Sequence, residues 1–69
     1  MTFTSWILKF EQVNLAIGDL SRDIKSDSDF PVSSDYDTLR NYLEKCGASD
    51  PCMTTFENAF KYFLLEYPQ

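Results

Sequence analysis

Apolar positions recur three and four residues apart along the chain, and no stretch alternates as a half-buried strand would. Phe3, Trp6, Ile7 and Phe10 stand at i, i+3, i+4 and i+7, which predicts a first helix with an aromatic stripe, capped by Thr2 or Thr4. A buried Trp6 needs an acceptor for its indole N–H, and a carboxylate such as Asp23 is the expected partner. From Val13 to Ala16 the polarity pattern is lost, so this stretch is expected to be a connector with Val13 and Leu15 packed inward. Ile17, Leu20 and Ile24 then mark the buried stripe of a short second helix, about Gly18 to Ile24. Gly18 at its start permits close backbone approach, and Asp19 places a carboxylate by the free amides of the first turn.

Lys25 to Asp29 has the Ser and Asp content of a turn, and Phe30, held extended by Pro31, is expected to anchor that loop to the core. Ser33 and Ser34 are cap candidates before Asp35 and Asp37, and the stripe Tyr36, Leu39, Leu43 and Cys46 predicts a third helix over about Asp35 to Cys46. Tyr42 lies alongside that stripe, and Gly47 supplies the left-handed residue after it. Asp50 and Pro51 suggest a single helical turn, and Thr54-Thr55-Phe56-Glu57 has the form of a capping box, so the last helix is expected to begin near Thr54. Its apolar face is Phe56, Ala59, Phe60, Phe63, Leu64 and Tyr67.

The predicted fold is therefore all-α: a compact, non-parallel bundle of four main helices plus a short helical turn, in one domain over residues 1–69. A chain this short buries only roughly 60 to 65% of its unfolded surface, so its core must be economical. Six Phe, four Tyr and one Trp meet that need, since each ring can bury about 150 to 250 Å².

Charge narrows the function classes. Eleven acidic residues against six basic ones, with no His, leave a formal charge of -5, which opposes binding to a phosphate backbone. Direct DNA binding would need Lys9, Arg22, Lys25, Arg40, Lys45 and Lys61 to converge, yet they are spread over four helices with acids between them. No long apolar run and no leader pattern is present, so a soluble, cytoplasmic protein without membrane contact is expected.

Candidate chemistry is sparse. Cys46 and Cys52 flank a turn, but without His or further Cys they cannot complete a tetrahedral zinc site; a reduced pair is expected, with Cys46 in the core and Cys52 near the surface. Thiol catalysis lacks an activating base. An EF-hand loop counted from Asp27 has Val32 where Gly is required and Thr38 where Glu is required. Neither catalytic residues nor a cofactor or metal is expected. Asp27, Asp29, Asp35 and Asp37, with Asp19 and Asp23 upstream, read first as a solvated acidic face. On the last helix, Tyr62 and Leu65 point away from the core stripe with Lys61 beside them, a candidate contact patch in which Tyr62 is the natural anchor.

Thr2-Phe3 with Leu8-Lys9, Asp29-Phe30-Pro31, Asp35-Tyr36, Tyr42-Leu43-Glu44 and Thr55-Phe56-Glu57 with Ala59 and Phe60 form an ordered set that resembles the YozE family of small bacterial and phage proteins. The resemblance covers about Phe3 to Phe63, with Phe60 where that family often has Trp and Phe63 where it often has Tyr. It implies a helical fold like the sterile alpha motif, no known catalytic residues and a role in binding. Two functions follow as expectations. One is a non-enzymatic protein-interaction module, a monomer or weak homo-oligomer, docking through Tyr62, Leu65 and Lys61. The other is an acidic, phage-type inhibitor whose Asp27, Asp29, Asp35 and Asp37 imitate nucleic acid and occupy a basic protein.

Overall fold

A computed structural model describes residues 1–69. Helix α1 spans Phe3–Ile7 and tightens into a 3₁₀ turn at Leu8–Phe10; α2 spans Ala16–Ser26, α3 Tyr36–Lys45 and α4 Asp50–Glu66. Thr2 caps α1 by accepting from the Ser5 amide at 3.1 Å. Asp35, rather than Ser33 or Ser34, caps α3, accepting from the Thr38 amide at 3.0 Å. The two serines instead fix the approach to that helix: Ser33 Oγ accepts from the Asp35 amide and Ser34 Oγ from the Phe3 amide.

Four helices and a short helical turn are present as expected, but the short turn is the 3₁₀ segment after α1. Asp50 and Pro51 open α4 itself. Ser49 caps that helix by accepting from the Cys52 amide at 3.3 Å, and Pro51 falls in the first turn, where its missing N–H leaves no intrahelical bond unmade. The Thr54–Glu57 capping box does not form, because Thr54 is already inside α4 and not at its N-cap; the neighbouring Thr55 hydroxyl donates to the Pro51 carbonyl at 2.9 Å.

Phe3 organises the core: its ring centroid lies 5.2 to 5.8 Å from those of Trp6, Phe56, Phe60 and Phe63, distances at which aromatic pairs add to their area burial. Leu20 and Ile24 from α2, Leu39 and Leu43 from α3 and Phe30 from the loop complete the same cluster. Phe30 is buried edge-on against Tyr42, so the loop is anchored as its sequence predicts. A second fastening is polar. The buried Thr4 hydroxyl donates to the Pro31 carbonyl at 2.7 Å and accepts from the Ser33 amide at 3.1 Å, tying the strap before α3 to α1.

Gly18 lies in the first turn of α2, where a Cβ would stand 1.7 Å from the Val13 carbonyl oxygen. The expected close approach is real, and no larger residue fits without moving that backbone. Gly47, at φ 77°, occupies the left-handed position that ends α3.

Four expected placements are corrected. Cys46 is exposed and Cys52 is half-buried, the reverse of the expectation, because α3 stops at Lys45 and the turn at Cys46-Gly47 breaks the stripe's rotation. Leu15 is 70% exposed: it is the extended residue before α2, its carbonyl accepts from the amides of Gly18 and Asp19, and its side chain is left facing out. Leu64 is also exposed, next to the buried Phe63, since successive helical residues turn by about 100°. The Trp6 indole donates to Glu66 Oε1 at 3.3 Å, not to Asp23; α1 packs on α4, whose last turn carries Glu66.

Candidate functional site: the α2–α4 groove

Helices α2 and α4 pack together, and the start of α2 leaves a groove of about 380 Å³ against the outer side of α4. Leu15, Ala16 and Ile17 form one wall; Thr55, Asn58, Ala59 and Tyr62 form the other. On α4 these positions follow helical spacing, so they share one face of the helix. Leu65 continues that face one turn beyond Tyr62. Tyr62 is 62% exposed and Leu65 79%.

Of the three residues singled out in sequence, Tyr62 lines the groove, whereas Leu65, one turn beyond it on the helix, and Lys61 are exposed and are not part of the lining. The residue missed is Leu15. Its hydrophobicity argued for burial, and the signal that could have placed it outside is positional: it stands immediately before the first helical residue, where backbone geometry sets its direction.

The four candidate acidic residues divide into two kinds. Asp27 is tied inward, accepting from the Tyr42 hydroxyl at 2.6 Å and from the Asp29 amide at 3.0 Å. Asp35 is tied to Thr38, whose amide and hydroxyl lower its pKa below the ordinary carboxylate value. Asp29 and Asp37 are exposed, with no side-chain hydrogen bond or ion pair to the rest of the chain. Two of the four carboxylates therefore serve the fold directly.

Two smaller hollows continue beside the groove. One, of about 200 Å³, is lined by Ala16, Asp19, Leu20, Asp23, Pro51, Cys52 and Thr55. The other, of about 180 Å³, brings Cys46 and Cys52 to the same wall as Asp23, Asp27, Phe30 and Tyr42. Tyr42 holds its phenol proton well above the ordinary range, first because it donates to Asp27 and then because of burial. Burial, aided by the nearby negative charge of Asp23, pushes the Cys52 thiol up. A thiol held protonated in this way is a weak nucleophile and a weak metal ligand. No three Cys, Asp or Glu side chains come together in an arrangement that would hold a metal ion.

No helix is long and apolar enough to cross a membrane. Compared with known families, residues 2–65 match the one described as the YozE SAM-like fold. No curated protein and no solved structure matches the chain.

Proposed function

The chain belongs to the YozE family of SAM-like fold, and we propose that it is a non-enzymatic protein-interaction module that docks through the α2–α4 groove, with Tyr62 as its anchor. One observation carries this reading: Leu15 and Tyr62, far apart in sequence and both strongly exposed, line a single groove, with the exposed Leu65 one helical turn beyond Tyr62. Isolated exposed apolar residues are ordinary on any protein surface, whereas a contiguous set around a concavity has the form of a contact site. An aromatic anchor suits it, since a phenol ring offers large contact area with few rotatable bonds. The family description names a fold and no reaction, and the raised Cys52 thiol offers no activated nucleophile.

Affinity capture from host extract, run at low and high salt with the wild-type chain and with Tyr62→Ala, tests the reading. One protein retained by wild type at high salt, and lost by Tyr62→Ala at an unchanged melting temperature, supports docking at the groove. Identical capture by both forms refutes it. Basic nucleic-acid-binding proteins released by salt from both forms alike favour the acidic inhibitor instead.

A further inference from the structure

The three hollows along α2 and α4 run into one another. Ala16 and Thr55 line both the first and the second, and Leu20, Asp23 and Cys52 line both the second and the third. From Pro51 to Tyr62 the seam follows eleven residue steps of α4, about 16 Å at 1.5 Å per residue, or roughly three turns of a helix. Apolar side chains line it at both ends, Leu15, Ile17 and Tyr62 at one and Ile24, Phe30 and Leu43 at the other, and along its α2 wall it carries a row of carboxylates: Asp19 and Asp23 one turn apart on the helix, and Asp27 just past its end.

No cation of the chain lines any part of this seam. Lys25 is drawn to Glu11, and Arg40 to Glu44 and Glu57. Within the row, Asp27 is committed to Tyr42. Asp19 holds Arg22 in an exposed ion pair of the kind that contributes little to stability, and the same guanidinium donates to the Glu11 carbonyl at 2.6 Å. Asp23 has no hydrogen-bonding or ionic partner among the side chains, and it lines both of the smaller hollows. A neutral occupant would cover Asp23 and strip its water without replacing it, which is unfavourable for a carboxylate. An acidic occupant, or a second copy of a chain with formal charge -5, would add repulsion.

We propose that the groove receives a basic amphipathic helix of a partner protein. One large apolar side chain seats between Leu15 and Tyr62, and Lys or Arg side chains one turn apart lie over Asp19 and Asp23. The inference rests on the docking role proposed above and adds the chemistry of the partner. A helix fits better than an extended peptide because both walls are helices, whose backbone groups are already paired within the helix, so an added strand would find no backbone to pair with. The one-turn spacing of the carboxylates matches the spacing of neighbouring side chains on a facing helix.

Selection from a displayed library of single-helix peptides of random composition, with the full chain as bait, tests the proposal; enriched peptides are then measured by fluorescence anisotropy. The expected pool carries a pair of Lys or Arg one turn apart and a large apolar residue. Its affinity should fall by about tenfold or more with Asp23→Lys and with Tyr62→Ala, and less with Asp23→Asn. Asp37→Lys, which makes the same change of net charge away from the groove, should weaken binding far less. All these positions are exposed, and melting curves confirm that each variant is folded. Uncharged apolar peptides that bind wild type and are lost with Tyr62→Ala would overturn the basic partner while leaving the docking role intact. A pool indifferent to Tyr62→Ala, or no enrichment at all, would overturn both. A concentration-dependent dimer in sedimentation, abolished by Tyr62→Ala, would overturn the proposal in favour of a second copy.

Discussion

On the inner side of α4, Phe56, Ala59, Phe60 and Phe63 are buried against α1, α2 and α3; on the outer side, Tyr62, Leu64 and Leu65 face solvent. The two sides are similarly apolar, and Phe63 and Leu64 are sequence neighbours. What separates them is angle around the helix axis relative to the elements that pack there. The inner rings meet Phe3, Trp6 and Tyr36 at van der Waals distances, whereas of the outer residues Tyr62 borders an open groove and Leu64 and Leu65 are exposed outside its lining. The inner side holds the fold, and the outer side is left exposed.

That contrast can be broken at its strongest point first. Phe56→Ala removes a fully buried ring from the centre of the cluster and should cost about 3 to 5 kcal/mol, a large part of the stability of a domain this small. Thermal and urea melts measure it, and an unchanged midpoint would mean that the ring is not central to the core. Gly18→Ala should cost less, about 1 to 3 kcal/mol. Alanine favours a helix, but its Cβ would collide with the Val13 carbonyl, so overpacking wins over propensity.

Capping distinguishes the true start of α4 from the expected one. Ser49→Ala should lose about 1 kcal/mol, while Thr54→Ala, inside the helix and exposed, should stay within about 0.5 kcal/mol. Equal losses in urea melts would restore a start near Thr54. Acid adds a smaller effect. Because Asp35 has a depressed folded pKa, its stabilisation is present above the ordinary carboxylate pKa and is lost as pH falls through the folded value. Asp35→Asn keeps a capping side chain without the titration, so its melting temperature should fall less between about pH 5 and about pH 2. Smallest of all is the stability change from Tyr62→Ala, expected within about 0.5 kcal/mol. A large loss there would show that the outer side also holds the fold.

The stripes of the helices apart from Cys46 and Leu64, the anchoring role of Phe30, the close approach at Gly18 and the left-handed Gly47 were readable in the residues, because each depends on local periodicity or backbone freedom. Exposure of Tyr62 and Leu65 was readable for the same reason: both lie off the stripe. The groove itself was not. Leu15 stands in extended backbone before α2 with its side chain exposed, and the groove exists only because α2 and α4 pack side by side, a contact between residues about forty positions apart.

By itself, then, the sequence determined an all-helical chain with an aromatic core and an acidic surface, since helical spacing and side-chain chemistry are local properties. Tertiary structure alone decided that Glu66 accepts the hydrogen bond of the Trp6 indole, that Cys46 is exposed while Cys52 is half-buried, and that Leu15, Tyr62 and Asp23 border one continuous seam. Those outcomes depend on where one helix stops and how another lies across it, and the pattern of a single helix carries no information about its neighbour's position.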